Sequence, residues 1–181
     1  MDLAYTKSIS SCQYIFIRYL AYVFMMLIPI LLLPLKSFII LAKYAYNTGN
    51  PIDILAFPKY IMGWILPTLL FVTALGMLLA VITRSYLSVL IMGIFWILCR
   101  PSVGKIMGGN YETFDFVIRH NTLKGYGRMM QEIPMLVLNR TVIAAASLLI
   151  ILFTAWIYQR KRKGGLKINV PEFIHPYKRE W

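Results

Sequence analysis

Acid is scarce in this 181-residue chain: seven Asp and Glu stand against nineteen Lys and Arg. No carboxylate falls inside any of its long apolar runs, which excludes a proton or sodium relay built from this chain alone. Cysteine and histidine are nearly absent, with two of each. Cys12 and Cys99 cannot form a disulfide scaffold, and neither has a metal-ligand partner at useful spacing. His175 stands alone, and His120 lies near Glu112 and Asp115 in a stretch that reads as a solvated loop. No Walker A pattern, nucleophile elbow or HExxH occurs. Catalytic, cofactor-binding and metal-binding residues are therefore all expected to be none. A membrane enzyme would have to draw on His120, Glu112, Asp115 and Glu132, and ranks last among the readings.

What the chain has instead is apolar length. Hydrophobic residues make up 59% of it, more than a water-soluble domain of this size requires. Four uncharged windows sit between cations: Tyr19 to Leu35, Tyr60 to Thr83, Ser85 to Cys99, and Thr141 to Gln159. At about 1.5 Å per helical residue these approach or exceed a hydrocarbon core of about 30 Å. The third is short, but Arg84 and Arg100 at its ends can snorkel to the interfaces. The expected fold is an all-α polytopic integral-membrane helical bundle, with about four transmembrane helices over residues 14–36, 59–83, 86–100 and 138–158. The net charge of +12 belongs to cations that frame spans and meet anionic headgroups, not to a nucleic-acid surface. The first apolar window is too long for a signal peptide, and no small-x-small cleavage site follows it.

The chain opens on a short amphipathic segment. With a helix starting near Asp2, the residues Tyr5, Ile9, Cys12 and Phe16 share a stripe, while Lys7, Ser10, Ser11 and Gln13 lie off it. This reads as an N-terminal interfacial helix running into the first span. Pro29 and Pro34 are expected to kink that span, and Asn47 to Pro51 form a turn cluster. Phe57 to Arg100 is 44 residues, too long for one crossing, so the second and third spans form a hairpin turning near Thr83, Arg84 and Ser85. Gly63 and Pro67 favour a kink early in the second span, and Gly76, Ala80 and Ala144 to Ala146 offer close helix approach. Pro101 to Leu138 is the one long polar connection, with one or two short interfacial helices before the last span. The cluster Arg160 to Lys163 abuts a span end, which favours a cytoplasmic C-terminus and, with four spans, a cytoplasmic N-terminus. Cys12 and Cys99 then face opposite sides. Residues 1–163 form the membrane domain and residues 164–181 a cytoplasmic tail.

The run DLAYTKSISSCQYIFIRYLAYV resembles a stretch of permease subunits of ATP-binding-cassette (ABC) exporters of the second integral-membrane type. The residues that carry the likeness are Asp2, Leu3, Tyr5, Thr6, Lys7, Ser8, Ile9 and Ser10, followed by Tyr14, Arg18, Tyr19 and Leu20 at the start of the span. Leu138 to Arg140 before the last span, and YQRKRKG closing it, are similar to the family's final helix. The resemblance covers about residues 1–163. It implies that Leu3, Tyr5, Thr6, Lys7, Ser8, Ile9 and Ser10 act as a coupling helix that docks on an ABC ATPase subunit. It also implies that ATP binds on that partner rather than on this chain, and that a second permease subunit completes the transporter in the cell membrane. Members of the family usually have six spans. Its first would lie before Met1, so the resemblance implies a shortened permease, a fragment of a split gene, or a subunit that borrows a helix from a partner. The implied cargo is a lipid, a peptide or a hydrophobic compound. The alternative is a small non-transporting membrane protein, such as an immunity or regulatory factor, in which residues 2–11 only anchor the chain to lipid.

Overall fold

A computed structural model describes residues 10–51, 53–83, 85–99, 116 and 126–164. Helix α1 spans Ser11–Asn47 and α2 spans Ala56–Tyr60. A π-helical turn over Ile61–Ile65 leads from α2 into α3, Leu66–Thr83. Then come α4 (Leu87–Leu98), α5 (Tyr126–Gln131) and α6 (Ile133–Arg162). The fold is all-α, as the sequence predicts. Three helical stretches are long and apolar enough to cross a membrane: Ser11–Asn47, Phe57–Thr83 and Ile133–Arg162. In hydrocarbon no water is present to satisfy the backbone, so uncharged runs of this length fold as helices that close their own hydrogen bonds. The third expected span, residues 86–100, is helical too, but α4 has 12 residues, about 18 Å, and buries none of them.

Local chemistry sets the helix ends. Ser10 begins α1 with a capping box: the Gln13 N–H donates to Ser10 Oγ at 3.2 Å, and the Ser10 N–H donates to Gln13 Oε1 at 3.2 Å. Its backbone is extended, at φ −64° and ψ 147°, so α1 begins at Ser11, and the interfacial helix expected before it lies outside the described residues. The side chains that α1 buries are Ser11, Ile15, Tyr19 and Val23, one step of four after another, while Cys12 is exposed and Phe16 half-buried. Ser37 to Tyr46 extends the first span, because α1 continues without a break through Pro29 and Pro34. It ends where Gly49 takes φ +69° and the Asn50 N–H reaches back to the Ala45 carbonyl at 3.0 Å. Gly164, at φ +74°, ends α6 in the same way.

The π turn has a cause in the sequence. Pro67 has no N–H to give to the turn before it, and its ring crowds the carbonyl four residues back, at Gly63. The backbone widens there, and the Leu66 N–H bonds to the Ile61 carbonyl five residues back. The kink expected at Gly63 and Pro67 is thus a widened turn.

The contacts fix the directions of the helices. Arg140 meets Trp64 and Thr68, and Lys161 meets Val81 and Ile82, so α3 and α6 run parallel. Tyr14 stacks on Tyr158, and the Tyr19 hydroxyl donates to the Leu70 carbonyl, so α1 runs antiparallel to both. Phe95 of α4 lies beside Phe71, so α4 folds back along α3 from the turn after Thr83. Ile15, Tyr19, Val23, Ala74, Met77, Ile151 and Ala155 form the shared core of α1, α3 and α6.

Two small-residue expectations need correction. The buried face of α3 is Pro67, Phe71, Ala74 and Met77. That places Gly76 and Ala80 away from it: a Cβ on Gly76 would meet nothing within 4 Å, and Ala80 is exposed. In α6, Ala145 is exposed and the close contacts fall to Ile143 and Ser147 on either side of the alanine run. Gly76→Ala should therefore stabilise the protein slightly, by about 0.5–1 kcal/mol from helix propensity. Unfolding in mild detergent measures this. Destabilisation would restore Gly76 as a packing seam.

Candidate functional site

The polar residues of the bundle converge on one line of α6. Arg140, Ser147, Thr154 and Lys161 recur every seventh residue, close to two helical turns, and so lie nearly above one another. Leu136, Ile143, Ile150 and Ile157 repeat three residues out of phase with them. Ser147 and Thr154 are wholly buried, Arg140 is buried, and Lys161 is half-buried. This is the seam that faces α3 and α1.

Arg140 anchors one end. Its Nη1 donates to the Trp64 carbonyl at 3.1 Å and to Thr68 Oγ1 at 2.8 Å, and its Nε donates to Oδ1 of the fully buried Asn139 at 2.9 Å. Thr68 passes the chain of bonds on to the Phe116 carbonyl at 3.1 Å. The Trp64 carbonyl lies within the π turn, beside the break that Pro67 makes in the backbone ladder. A guanidinium buried among apolar helices is costly unless its charge is compensated. Carbonyl and hydroxyl acceptors from α3 supply the compensation, and charge-assisted bonds of this kind contribute about 1.5–3 kcal/mol each.

Lys161 closes the other end. Its Nζ donates to the Val81 carbonyl at 2.6 Å and to the Ile82 carbonyl at 3.1 Å. These are among the last carbonyls of α3, and Lys161 also sits in the last turn of α6, so here the cation favours both dipoles. The two cations are 21 positions apart, about 32 Å of helix, close to one hydrocarbon thickness.

Between these ends the seam is built from small hydroxyls whose protons stay within their own helix. Ser147 Oγ donates to the Ala144 carbonyl at 2.7 Å and Thr154 Oγ1 to the Ile150 carbonyl at 2.7 Å. Their small size lets Tyr19 of α1 enter. Its hydroxyl donates to the Leu70 carbonyl at 3.0 Å and lies within hydrogen-bond reach of the Ser147 side chain, so a single side chain touches all three helices.

Of the expected coupling residues, Ser10 is the helix cap, and Leu3, Tyr5, Thr6, Lys7, Ser8 and Ile9 lie outside the described residues. Glu112, Asp115 and His120 lie outside them as well, while Glu132 stands at the start of α6. The described residues contain no group of His, Cys, Asp and Glu that could hold a metal. The arrangement joins helices mechanically and presents no nucleophile with a base beside it. Sequence reasoning missed this seam, although the seven-residue recurrence of Arg140, Ser147, Thr154 and Lys161 is the signal that marks it. The chain matches no family model, no curated protein and no solved structure.

Ser147 distinguishes a size-selected seam from a hydroxyl-selected one. Ser147→Ala should cost less than about 1 kcal/mol, since it removes only modest hydrogen bonds. Ser147→Leu should cost about 3 kcal/mol by overpacking a position with 0% exposure. Unfolding of both variants in one detergent is the measurement, and equal costs would contradict selection for size.

Proposed function

We propose that this chain is the membrane-spanning permease subunit of an ATP-driven ABC exporter. It works with an ABC ATPase subunit that binds ATP and with a second permease subunit, and it handles a lipid, a peptide or a hydrophobic compound. The cationic end of the bundle faces the cytoplasm of a cell-membrane protein, and both termini lie on that side.

One observation supports this reading above the others: the start of α1, the turn after Thr83 and the cluster Arg160 to Lys163 share one end of the bundle. Residues just before Ser10 therefore adjoin the end that carries the dense cluster Arg160 to Lys163, as a cytoplasmic coupling segment requires. From Ser10 a displacement has a rigid route inward. α1 carries it four residues at a time through Ile15 to Tyr19, which is tied to Leu70 of α3 and reaches Ser147 of α6. Beyond Val23, α1 buries no further side chain, and Phe38 stacks on Phe57 of α2 with ring centroids 5.2 Å apart, which holds its outer part to the start of the second span.

The test is association with the candidate ATPase. Lys7→Glu combined with Ile9→Asp should abolish its co-purification while leaving helix content unchanged. Unchanged association would refute the coupling assignment. A phenotype that survives deletion of the ATPase would favour the immunity or regulatory reading.

A further inference from the structure

α1 is held at both ends and bare in the middle. Its inner end packs Ile15, Tyr19 and Val23 into the core shared with α3 and α6. At its outer end Phe38 stacks on Phe57 of α2, with ring planes at 28°. From Phe24 to Ser37, about 21 Å of helix, no side chain is buried. Both prolines of α1 fall in this bare stretch. Proline has no N–H, so the carbonyls of Met25 and Ile30 lose the donor four residues on. Both carbonyls lie in an uncharged window, where hydrocarbon offers no water in its place. Helices bend at such points.

The outer end is tied into one piece. Thr48 Oγ1 shares its proton between the Tyr44 and Ala45 carbonyls, at 3.0 and 3.1 Å, and Asn50 Nδ2 donates to Thr48 Oγ1 at 2.8 Å. The Leu55 N–H donates to Asp53 Oδ1 at 3.0 Å just before α2. With the Phe38–Phe57 stack, these bonds fasten the last turns of α1 to α2. Among the described residues, no side chain from Phe38 to Tyr60 is buried, and burial resumes at Ile61. Ile61 opens the π turn, whose ladder Pro67 interrupts at the Gly63 carbonyl. Two backbone paths thus leave the three-helix core for the outer end, and each passes through a stretch that proline weakens.

We propose that the outer end of α1 and α2 rock on the three-helix core as one body, with the Pro29 and Pro34 stretch and the π turn as its two hinges and Arg140 as the latch. Arg140 suits that part because its acceptors span the second hinge: the Trp64 carbonyl lies within the π turn and Thr68 lies in α3. While both bonds stand, the π turn is fixed to α6. Release of the Trp64 carbonyl frees the turn and leaves Thr68 to hold the charge. Rocking needs no buried side chain of the outer piece to leave the core, since that piece buries none. The inference does not rest on the permease reading, because it follows from how the first two spans are joined.

Distances between paired nitroxide labels on the full chain in lipid nanodiscs, measured by double electron–electron resonance, test it. Cys12→Ser and Cys99→Ser supply the background, and every label site is exposed. Tyr46→Cys with Leu149→Cys reports the outer body against the core. Ile39→Cys with Ile54→Cys reports the outer body alone, and Ile17→Cys with Leu149→Cys the core alone. The first distance distribution should be about twice as wide as the other two. Pro29→Ala with Pro34→Ala should narrow it to their width, and Arg140→Gln should broaden it without changing the outer pair. A first distribution no wider than that of the core pair would overturn the motion, and an outer pair equally broad would overturn the single body. A width that survives replacement of both prolines would overturn the α1 hinge, and one that Arg140→Gln leaves unchanged would overturn the latch. The comparison of the three pairs with native prolines and Arg140 stands even if those variants fail to fold.

Discussion

Everything in this bundle depends on how two cations of α6 are satisfied by the backbone of α3. Arg140 and Lys161 are separated by about one hydrocarbon thickness; Arg140 reaches the Trp64 carbonyl in the π turn before α3 and the Thr68 hydroxyl at its start, and Lys161 reaches the Val81 and Ile82 carbonyls at its end. A cation in an apolar setting is costly unless it is paired or hydrogen-bonded. Both therefore specify register: a slip of α6 by one turn along α3, about 5.4 Å, would leave a guanidinium and an ammonium without these acceptors. Apolar packing alone carries little such information in lipid, where the tails are as hydrophobic as the side chains.

The two ends are not equivalent. Lys161 meets carbonyls that every helix leaves open at its C-terminus. Arg140 meets a carbonyl that lies in the widened turn forced by Pro67. The irregularity in α2–α3 and the buried arginine in α6 are therefore two halves of one device, written in segments that lie more than seventy residues apart. Between the clamps, Ser147 and Thr154 keep the seam thin enough for Tyr19, which brings α1 into register with the other two helices. The result is a three-helix core at one end of α1 and a lightly packed outer stretch of α1 that meets α2 through the Phe38–Phe57 stack.

Much of this was legible in the sequence. Uncharged runs bounded by cations located the three long helices, and the expected spans came within five residues of the ends of Phe57–Thr83 and Ile133–Arg162, but the first helix runs eleven residues past the expected end at Lys36, to Asn47. The Asn47 to Pro51 turn and the reversal after Thr83 were equally visible. Other features required partners to be known. The stripe through Cys12 and Phe16 was a fair reading of periodicity, but Ser10 and Gln13 cap α1 and burial falls one residue away, on Ser11 and Ile15. Gly76 and Ala80 have helix-packing spacing, yet α3 turns its larger side chains inward, because Ser147 and Thr154 on α6 already provide the space. Arg140 read as the cation that ends a span when it is in fact a buried acceptor-seeking group, a distinction that depends wholly on Trp64 and Thr68.

The most direct test of this account is a double-mutant cycle between Arg140→Leu and Thr68→Val, with unfolding free energies measured in one detergent. Residues that share a buried charge-assisted hydrogen bond should couple, and the interaction energy here should be about 1–2 kcal/mol. Costs that simply add, with coupling near zero, would contradict the clamp.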